Sequence, residues 1–581
     1  MRNINIFATL LAMSTLVSCN LDVISQDSIS PDTYFSKESE LELYTNQFYT
    51  LEPDAEDIYN EPSNLIVSGN TLPAVMVGVT RTIPSDGGGW SWSALRHINY
   101  FLANSDRCPD EAARNHYDGV ALFFRAYFYF DKVVRFGDVP WYSEALFSDD
   151  EAQLTKTQDG REVVVENILK DLDKAIELLP ATVSVYEVNK YTAMALKSRV
   201  CLFEGTFRKY HAGKTFNKNN LPHEDLLNEC VKVSKELMES KKYSLYTTGE
   251  TPYLSLSTAD EASKAEVIFA RCFKGNFKNL VDQFALVSTK GAAGFTKALT
   301  ASYLMKDGTR FTDKAGWQTM TFQDEIKDRD PRFAQTILTK AGKFPDKSAM
   351  VFKKENSCTG YSMIKYVTGQ DHTSASDVDM PLFKISEVYL NYAEALAELG
   401  TLTQADLDKS VNLLRDRVGM PHLNMVAANA NPDTFLTSEL YGYVNVTGAN
   451  KGVILEIRRE RGIELVCEGL RFQDICRWRE GHLMDQPVYG FYVPGEGVYD
   501  IDGDGTNDFV VNGTSTYSAS GVTPVEIGKS IILSEGNKGF IQVHADVIRE
   551  FNEERDYLYP IPSNEISLTH GNLKQNPGWT K

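Results

Sequence analysis

The segment SEVYLNYAEALAELGTLTQADLDKSVNLLRDRVGMP, Ser386–Pro421, constrains the fold more than any other part of the sequence. Apolar residues at helical spacing run up to Gly400, a short turn follows, and a second helical pattern begins near Ala405. Small side chains such as Ala393 allow a neighbouring helix to approach closely. One helix pair of this kind cannot bury its own apolar face, so several pairs must stack. The segment therefore predicts a scaffold of tetratricopeptide-like helical hairpins.

Similar helical patterns recur along the chain, although their spacing is irregular. The stretch VALFFRAYFYFDKVVRFGDVP is apolar on nearly every side except at Arg125 and Asp131, which predicts a helix sandwiched between neighbours. Two loop-rich regions, at about 271–352 and 481–537, separate the helical units, and long insertions on a rigid scaffold often carry function. The predicted fold class is mainly α, with tetratricopeptide-like hairpins as the scaffold and long loop insertions forming the ligand surface.

The first residues of the chain predict export and anchoring. Arg2 precedes an apolar run from Ile4 to Val17, which is shorter than the roughly 20 residues that span a bilayer and is typical of a secretory signal. The sequence LVSC resembles the lipobox of bacterial lipoproteins, in which the chain is cut before the cysteine and the thiol is lipidated. We therefore predict a signal peptide over 1–18, lipidation at Cys19 and a lipid-anchored tether over 19–35. The alternative is a plain signal peptide with an incidental cysteine.

The remainder, 36–581, is predicted to form one helical domain with an N-terminal part (36–270) and a C-terminal part (271–581). Its acidic residues are spread along a chain whose net charge is −20, which argues against nucleic-acid binding because phosphate backbones are repelled. The seven cysteines after Cys19 are far apart and form no CxxC pair, so they lack metal-ligand spacing. We interpret most of them as small buried apolar groups. The sequence leaves open whether any two form a disulfide.

A charged, apolar-rich stretch, RRERGIELVCEGLRFQDICRW, lies near the C-terminus. Placed on one continuous helix from Ile454, it predicts buried charges, which are tolerated only when paired. The helical spacing favours the pairs Arg461–Glu464 and Glu468–Arg471. Neighbouring arginines would hold the carboxylates ionised, which suits a structural network better than a general acid.

The same stretch resembles the C-terminal signature of the SusD/RagB family, outer-membrane nutrient-binding lipoproteins of Bacteroidetes. The stretches YLYPIPSNEISLTHGNLKQNPGW, FRAYFYFDKVVRFGDVP and YLNYAEALAELG also resemble this family, so the likeness extends from Cys19 to Trp579. The resemblance implies a cell-surface lipoprotein, held to the outer membrane by its lipid anchor, that captures a glycan and passes it to a SusC-like TonB-dependent transporter. Peptide cargo, as in part of the family, is the alternative.

The resemblance implies no catalysis. The sequence itself contains no nucleophile elbow, no HExxH and no phosphate-binding loop. A glycosidase built from two carboxylates is disfavoured, because no acidic pair lies in an apolar, loop-borne setting. We therefore expect a binding protein that is not an enzyme and requires no cofactor.

Aromatic residues in loop-rich stretches are the candidate ligand contacts. In RTIPSDGGGWSWSALRHINYF, three glycines precede two tryptophans at the start of a helix, and the family's ligand surface draws on this part of the chain. We predict that Trp90 is exposed and stacks on the ligand, that Asp86 hydrogen-bonds it, and that Trp92 packs in the core. Trp317 and Tyr361 are weaker candidates, since core packing is the alternative for both.

A cation site is predicted in YDIDGDGTND. Asp500, Asp502, Asp504 and Asp508 follow the 1, 3, 5, 9 spacing of a calcium loop, with Gly505 at the turn. The pattern departs from a helix–loop–helix site at position twelve, where a valine replaces the usual glutamate. The alternatives are a structural calcium ion and an acidic turn without an ion.

Overall fold

The fold is described by a computed structural model that covers residues 34–59, 61–274, 279–353, 356–374 and 376–579. Helical residues make up 42% and strand residues 11% of the structure, which confirms the mainly α fold class. The predicted signal peptide (1–18) and lipidation site (Cys19) lie outside the described residues. No helix in the described part of the chain has the length and apolarity needed to cross a membrane.

The helices are distributed along the whole chain. In chain order they are α1 (Glu38–Thr45), α2 (Ala55–Tyr59), α3 (Ala74–Val77), α4 (Ser93–Leu102), α5 (Glu111–Phe136), α6 (Glu151–Leu154), α7 (Arg161–Leu178), α8 (Lys190–Tyr210), α9 (Glu224–Glu239), α10 (Pro252–Ser257), α11 (Val281–Leu286), α12 (Lys297–Ser302), α13 (Phe322–Glu325), α14 (Ile385–Leu399), α15 (Gln404–Asp408), α16 (Val411–Arg417), α17 (Met425–Ala430), α18 (Lys451–Glu464), α19 (Arg471–Arg477) and α20 (Ser563–Leu568).

The strands form small sheets of two or three members between the helical units. In chain order they are β1 (Ile66–Val67), β2 (Val267–Arg271), β3 (Gly294–Phe295), β4 (Gly342–Lys343), β5 (Ala349–Met350), β6 (Met380–Lys384), β7 (Val488–Val493), β8 (Gly497–Tyr499), β9 (Phe509–Asn512), β10 (Val525–Glu526), β11 (Ile532–Leu533) and β12 (Gly539–Val543). β1 pairs with β3 and β2 with β6, both antiparallel, so each of these pairs joins distant parts of the chain.

The helices pack as stacked pairs. α5 packs against α7, α8 against α9, and α14 against α9 and α18. Ala393 and Ala395 of α14 are fully buried, since their small side chains let neighbouring helices approach. α14 ends at Gly400, whose φ of 77° is left-handed, as the sequence predicted. The second predicted helix of this unit is instead divided into α15 and α16, and the Ser410 hydroxyl between them donates to the carbonyl of Asp406 at 2.5 Å.

The prediction of one continuous helix from Ile454 to Trp478 is wrong. α18 and α19 are separate, because Cys467 (φ 64°) and Gly469 (φ 71°) turn the chain between them. The turn changes the direction of every side chain beyond it. The predicted i,i+3 pair Glu468–Arg471 spans this turn, and Glu468 pairs with lysines instead.

Buried ion pairs are present here, but the partners of the residues predicted to pair are other than those predicted. Arg461 pairs with Asp474 at 2.8 Å rather than with Glu464. Glu464 pairs with Arg417 at 2.7 Å. Glu468 accepts from two buried lysines, Lys365 at 2.8 Å and Lys384 at 2.7 Å. The network joins α18 and α19 to α16 and to the segments around residues 365 and 384.

The cysteines after residue 19 are all free thiols. Five are buried and two are half-buried, which agrees with the apolar interpretation for the five. The buried five are Cys108, Cys201, Cys230, Cys467 and Cys476.

Candidate functional site

A glycine run fixes the entry to α4. Gly87, Gly88 and Gly89 all have left-handed φ angles, between 60° and 90°, which other residues rarely adopt. The carbonyl of Gly88 accepts from Arg135 Nε at 2.7 Å, and that of Gly89 accepts from Lys132 Nζ at 2.7 Å. A β-carbon at Gly89 would lie 2.6 Å from Arg135 Nε. The run is therefore pressed onto the C-terminal part of α5, and this contact sets the positions of the two tryptophans that follow.

The two tryptophans pack against each other and against α5. Trp90 is 6% exposed and packs edge-on against Phe136, with ring centroids 4.9 Å apart, so the prediction that it is exposed is wrong. Trp92 is half-buried and packs against the core, where its ring lies against Phe128 and Tyr142. The physical reason is the glycine run, which turns Trp90 inward onto α5 and leaves Trp92 at the N-terminus of α4.

A cavity of about 480 Å³ opens beside Trp92. Three segments form its walls: α4 with the residues before it, the loop that follows α5, and the C-terminal helix α20. The side chains that line it are Trp90, Trp92, Ser93, Leu95, Arg96, His97, Asn99, Pro140, Tyr142, Glu144, Leu146, Phe147, Ser148, Leu154, Lys156, Glu565, Thr569 and Leu573. Its volume lies within the range of small-ligand pockets.

Aromatic faces are available in this cavity. Trp92 and Tyr142 are half-buried, and Phe147 is 53% exposed at the rim. The pKa of Tyr142 is raised to about 12 by burial and by the nearby charge of Asp159, so its hydroxyl stays protonated at neutral pH. It donates to the carbonyl of Gln153 at 3.2 Å. The aromatic rings are thus held in place while parts of their surfaces face the cavity.

A buried ion pair holds in place the loop that follows α5 and forms one wall of the cavity. Arg125 of α5 binds Asp171 of α7 through two hydrogen bonds of 2.7 Å. The same guanidinium donates to Asn99 Oδ1 at 3.1 Å, and the Asn99 amide donates to the carbonyls of Tyr142 and Glu144, both at 3.0 Å. Arg125, one of the two charges that interrupt the apolar pattern of α5, therefore fixes the loop that carries Tyr142 to α4.

Polar and charged groups surround the aromatic faces. Arg96 and Glu144 are exposed at the rim. Lys156 is held by Asp159 at 2.8 Å and lies 5.0 Å from the ring centroid of Tyr142. The pKa of Glu565 is raised by burial and by the charge of Asp86. The cavity thus offers donors and acceptors without one dominant sign of charge.

Asp86 lies close to this site but does not line it. Its carboxylate accepts from Asn564 Nδ2 of α20 at 2.8 Å and remains exposed. The predicted hydrogen bond from Asp86 to ligand stays a prediction. In this structure the side chain ties the glycine-run segment to the C-terminal helix.

The two weaker aromatic candidates lie elsewhere. Tyr361 is fully buried, and its hydroxyl donates to Glu325 at 2.7 Å, which agrees with core packing. Trp317 is half-buried and packs edge-on against Phe311 and Phe435, outside the walls of the cavity. Core packing was the stated alternative for both residues.

The acidic stretch forms the loop between the antiparallel strands β8 and β9. Carboxylate oxygens of Asp500, Asp502 and Asp504 lie within 4.8 Å of one another. Asp508 is directed differently: it accepts from the backbone N–H of Ile501 at 3.1 Å, and its pKa is raised by burial and by the charges of the other three. The three converging carboxylates fit a hard cation such as Ca²⁺.

Several cavity residues were not predicted from the sequence. Tyr142 and Phe147 lie more than 40 residues after Trp92, and Glu565 lies near the C-terminus. The sequence offered one signal, the aromatic residue after the GDVP turn. A segment that leaves a buried helix must return across a neighbouring surface, so its aromatic residue would lie on that surface. Sequence spacing alone does not say which surface that is.

Comparison with known proteins supports one family. A family model described as the SusD family matches residues 183–579, and a second, described as starch-binding and associating with the outer membrane, matches residues 92–202. The chain is similar to SusD-like protein P38 of Formosa agariphila, with 23% identity over 84% of this chain and 94% of that protein.

Two solved structures from Bacteroides fragilis share the fold. One is a SusD-like protein with a TM-score of 0.69 and 23% identity, covering 94% of this chain and 98% of that one. The other is described as a SusD-like carbohydrate binding protein, with a TM-score of 0.68 and 20% identity, covering 92% of this chain and 99% of that one. Because the family model spans more than half of the sequence, the chain belongs to the SusD family.

Proposed function

We propose that this protein binds a nutrient glycan in the cavity beside Trp92 and delivers it to a SusC-like TonB-dependent transporter in the outer membrane. Family membership supports the proposal, as does the description of the second matching model as starch-binding and associating with the outer membrane. A structural neighbour is described as carbohydrate binding. The proposal assigns binding and no catalysis, so the glycan should leave the protein with its chain length unchanged.

The observation that carries the proposal is the set of partly exposed aromatic rings around an open cavity. Trp92, Tyr142 and Phe147 present apolar faces, which suit the C–H faces of sugar rings. Arg96 and Glu144 stand at the rim, where sugar hydroxyl groups would meet both a donor and an acceptor. A glycan array probed with the mature chain and with Trp92→Ala tests the site. Loss of the array signals in the variant is expected.

Peptide cargo is the second candidate. It is favoured by one feature, the presence of both a cation (Arg96) and a carboxylate (Glu144) at the same rim, where they would pair with the two termini of a short peptide. Competition decides between the candidates. Oligosaccharides that displace a bound glycan when peptides do not would support the first, and the reverse would replace it with the second.

We propose that Cys19 is lipidated and anchors the chain to the outer membrane. The LVSC stretch after a short apolar run supports this, since acyl chains add roughly 0.8 kcal/mol of membrane affinity per buried methylene. Radiolabelled palmitate should enter the wild-type protein, and Cys19→Ala should carry no label. Cys108→Ala is the matched control and should be labelled as the wild type is. Equal labelling of the Cys19→Ala variant would end the lipoprotein proposal.

We propose that Asp500, Asp502 and Asp504 hold a structural calcium ion. Their convergence supports it, because three adjacent carboxylates repel one another unless a cation lies between them. An ion that binds only the folded state stabilises it by about 2.7 kcal/mol at 100 times its Kd. The melting temperature should fall with EDTA and recover with calcium, and this response should disappear in the double variant Asp502→Asn, Asp504→Asn. An unchanged response in that variant would place the ion elsewhere.

A further inference from the structure

A second cavity, of about 370 Å³, lies apart from the first and shares no lining residue with it. It opens between the segment that follows α2 and the segment around α11. Its lining residues are Glu56, Tyr59, Glu61, Ser63, Ile66, Val67, Ser68, Asn70, Thr71, Leu72, Pro73, Met76, Phe284 and Lys290. Nothing in the proposed function uses these residues.

Backbone contacts fix the shape of this second cavity. β1 pairs with β3, and the N–H of Gly69 just beyond the pair donates to the carbonyl of Gly291 at 2.6 Å. A β-carbon at Gly69 would lie 2.8 Å from that oxygen, so the close approach requires glycine. The amide of Asn70 donates to the carbonyl of Thr289 at 3.1 Å, which ties the cavity mouth to the opposite wall.

Glu61 is one of two glutamates in the lining. Glu61 is half-buried and accepts two long hydrogen bonds, 3.2 Å from Arg471 N and 3.4 Å from Phe472 N, at the start of α19. Burial raises its pKa to about 8, more than the backbone donors lower it. At neutral pH the group is therefore largely protonated and can both donate and accept.

The other lining residues are partly polar and partly apolar. Ser68, Asn70 and Thr71 bring hydroxyl and amide groups to the lining. Leu72 and Phe284 are among the apolar residues. A ring with hydroxyl groups at its rim and an apolar face matches this division, and the cavity volume lies within the small-ligand range.

We infer that this second cavity binds one neutral pyranose ring, with Glu61, Ser68 and Asn70 hydrogen-bonding its hydroxyl groups. An anionic ligand is disfavoured, because Lys290 is the single cation in the lining and acidic Glu56 lies in the same lining. A divalent metal ion is disfavoured too, because neither glutamate belongs to a group of three converging metal ligands among the described residues. The inference rests on the proposed function only for the class of ligand, and it concerns a separate site.

Monosaccharide binding distinguishes the second cavity from the first. Ligand-observed NMR with the full mature chain and a panel of glucose, mannose, galactose, xylose and N-acetylglucosamine should detect binding of at least one sugar. Thr71→Trp places an indole at the exposed mouth and should reduce that binding by about tenfold or more. Trp92→Ala should leave the second-cavity signal within about twofold, because the two cavities share no residue. Oligosaccharide binding at the first cavity should show the opposite pattern.

Glu61 provides a second test that does not depend on blocking the mouth. Glu61→Gln keeps a donor and an acceptor and should retain monosaccharide binding within about threefold at pH 7, whereas Glu61→Leu should lose about tenfold. Melting temperatures of both variants show whether they fold. The inference is overturned if no neutral sugar of the panel binds, or if Thr71→Trp and Glu61→Leu bind as the wild type does. The proposed function fails on a different result, namely oligosaccharide binding that Trp92→Ala does not change.

Discussion

Trp92→Ala should weaken oligosaccharide binding by more than tenfold. The indole is half-buried, lines the cavity and is held edge-on by Phe128 and Tyr142, so it presents a rigid face to the ligand. A central aromatic anchor is typically worth roughly 2 kcal/mol or more on truncation, and about 1.4 kcal/mol corresponds to a factor of ten. Isothermal titration with an oligosaccharide selected on the glycan array measures the loss.

Trp90→Ala, two residues away, is the comparison variant, and its indole also lines the cavity. This indole is 6% exposed and packs against Phe136, so its removal should lower the free energy of unfolding by about 3–5 kcal/mol. Calorimetric melts of both variants distinguish a lost ligand contact from a lost core contact. If Trp92→Ala binds the oligosaccharide with wild-type affinity while folding normally, the cavity beside it is not the glycan site.

The burial of Trp90 and the partial exposure of Trp92 could not be predicted from the local sequence. Helical spacing placed Trp92 in line with Leu95 and Ile98, which are indeed buried. Whether a residue at a helix N-terminus is covered depends on what packs over that end, and here the covering helix is α5, pressed onto Gly88 and Gly89. That contact is set by Lys132 and Arg135, more than 40 residues away in sequence. Periodicity therefore predicted the helix α4 but not the exposure of Trp92, the residue just before it.

The helical scaffold was more predictable, because its signals are local. The apolar pattern and Gly400 define α14 within the sequence itself, and burial on all sides of α5 follows from its composition. The pairing of charges was less predictable. Spacing identified buried charges in the stretch around Arg461, but their partners come from α16 and α19 and from Lys365 and Lys384, which only the tertiary fold brings together.

Buried contacts also join two of the sequence stretches that resemble the family. YLNYAEALAELG forms α14, and the end of RRERGIELVCEGLRFQDICRW forms α19. Glu394 of the first accepts from Arg477 Nη2 at 2.8 Å and from Trp478 Nε1 at 2.6 Å of the second. Arg477 is also bound to Asp474 at 2.8 Å. The two sequence stretches are therefore two sides of one buried, fully hydrogen-bonded junction between helices.

Glu394→Ala should produce one of the largest losses of stability for a single change away from the cavities. Glu394 is fully buried, and its removal leaves Arg477 with one carboxylate partner, Asp474, which is already shared with Arg461, and with the hydroxyl of Thr206. An uncompensated buried charge typically costs about 3–5 kcal/mol. Chemical denaturation at pH 7 measures the loss, and Glu166→Ala, which removes an exposed ion pair with Lys170 on α7, should change stability little. Similar unfolding midpoints for the two variants would contradict a stabilising role for the junction.

The same carboxylate should give the wild type a characteristic acid response. Burial alone would raise the pKa of Glu394. The positive charges of Arg477 and the other arginines outweigh burial and bring the pKa down to about 2. A carboxyl whose pKa is lower in the folded chain than the usual value near 4.3 stabilises the fold above that value. This contribution, about 3 kcal/mol, is lost as the pH falls from roughly 4.5 towards 2. Denaturation midpoints measured at intervals from pH 6 to pH 3 should therefore fall more steeply for the wild type than for Glu394→Gln, which has no proton to take up at this position. Parallel curves for the two proteins would show that Glu394 does not carry the acid response.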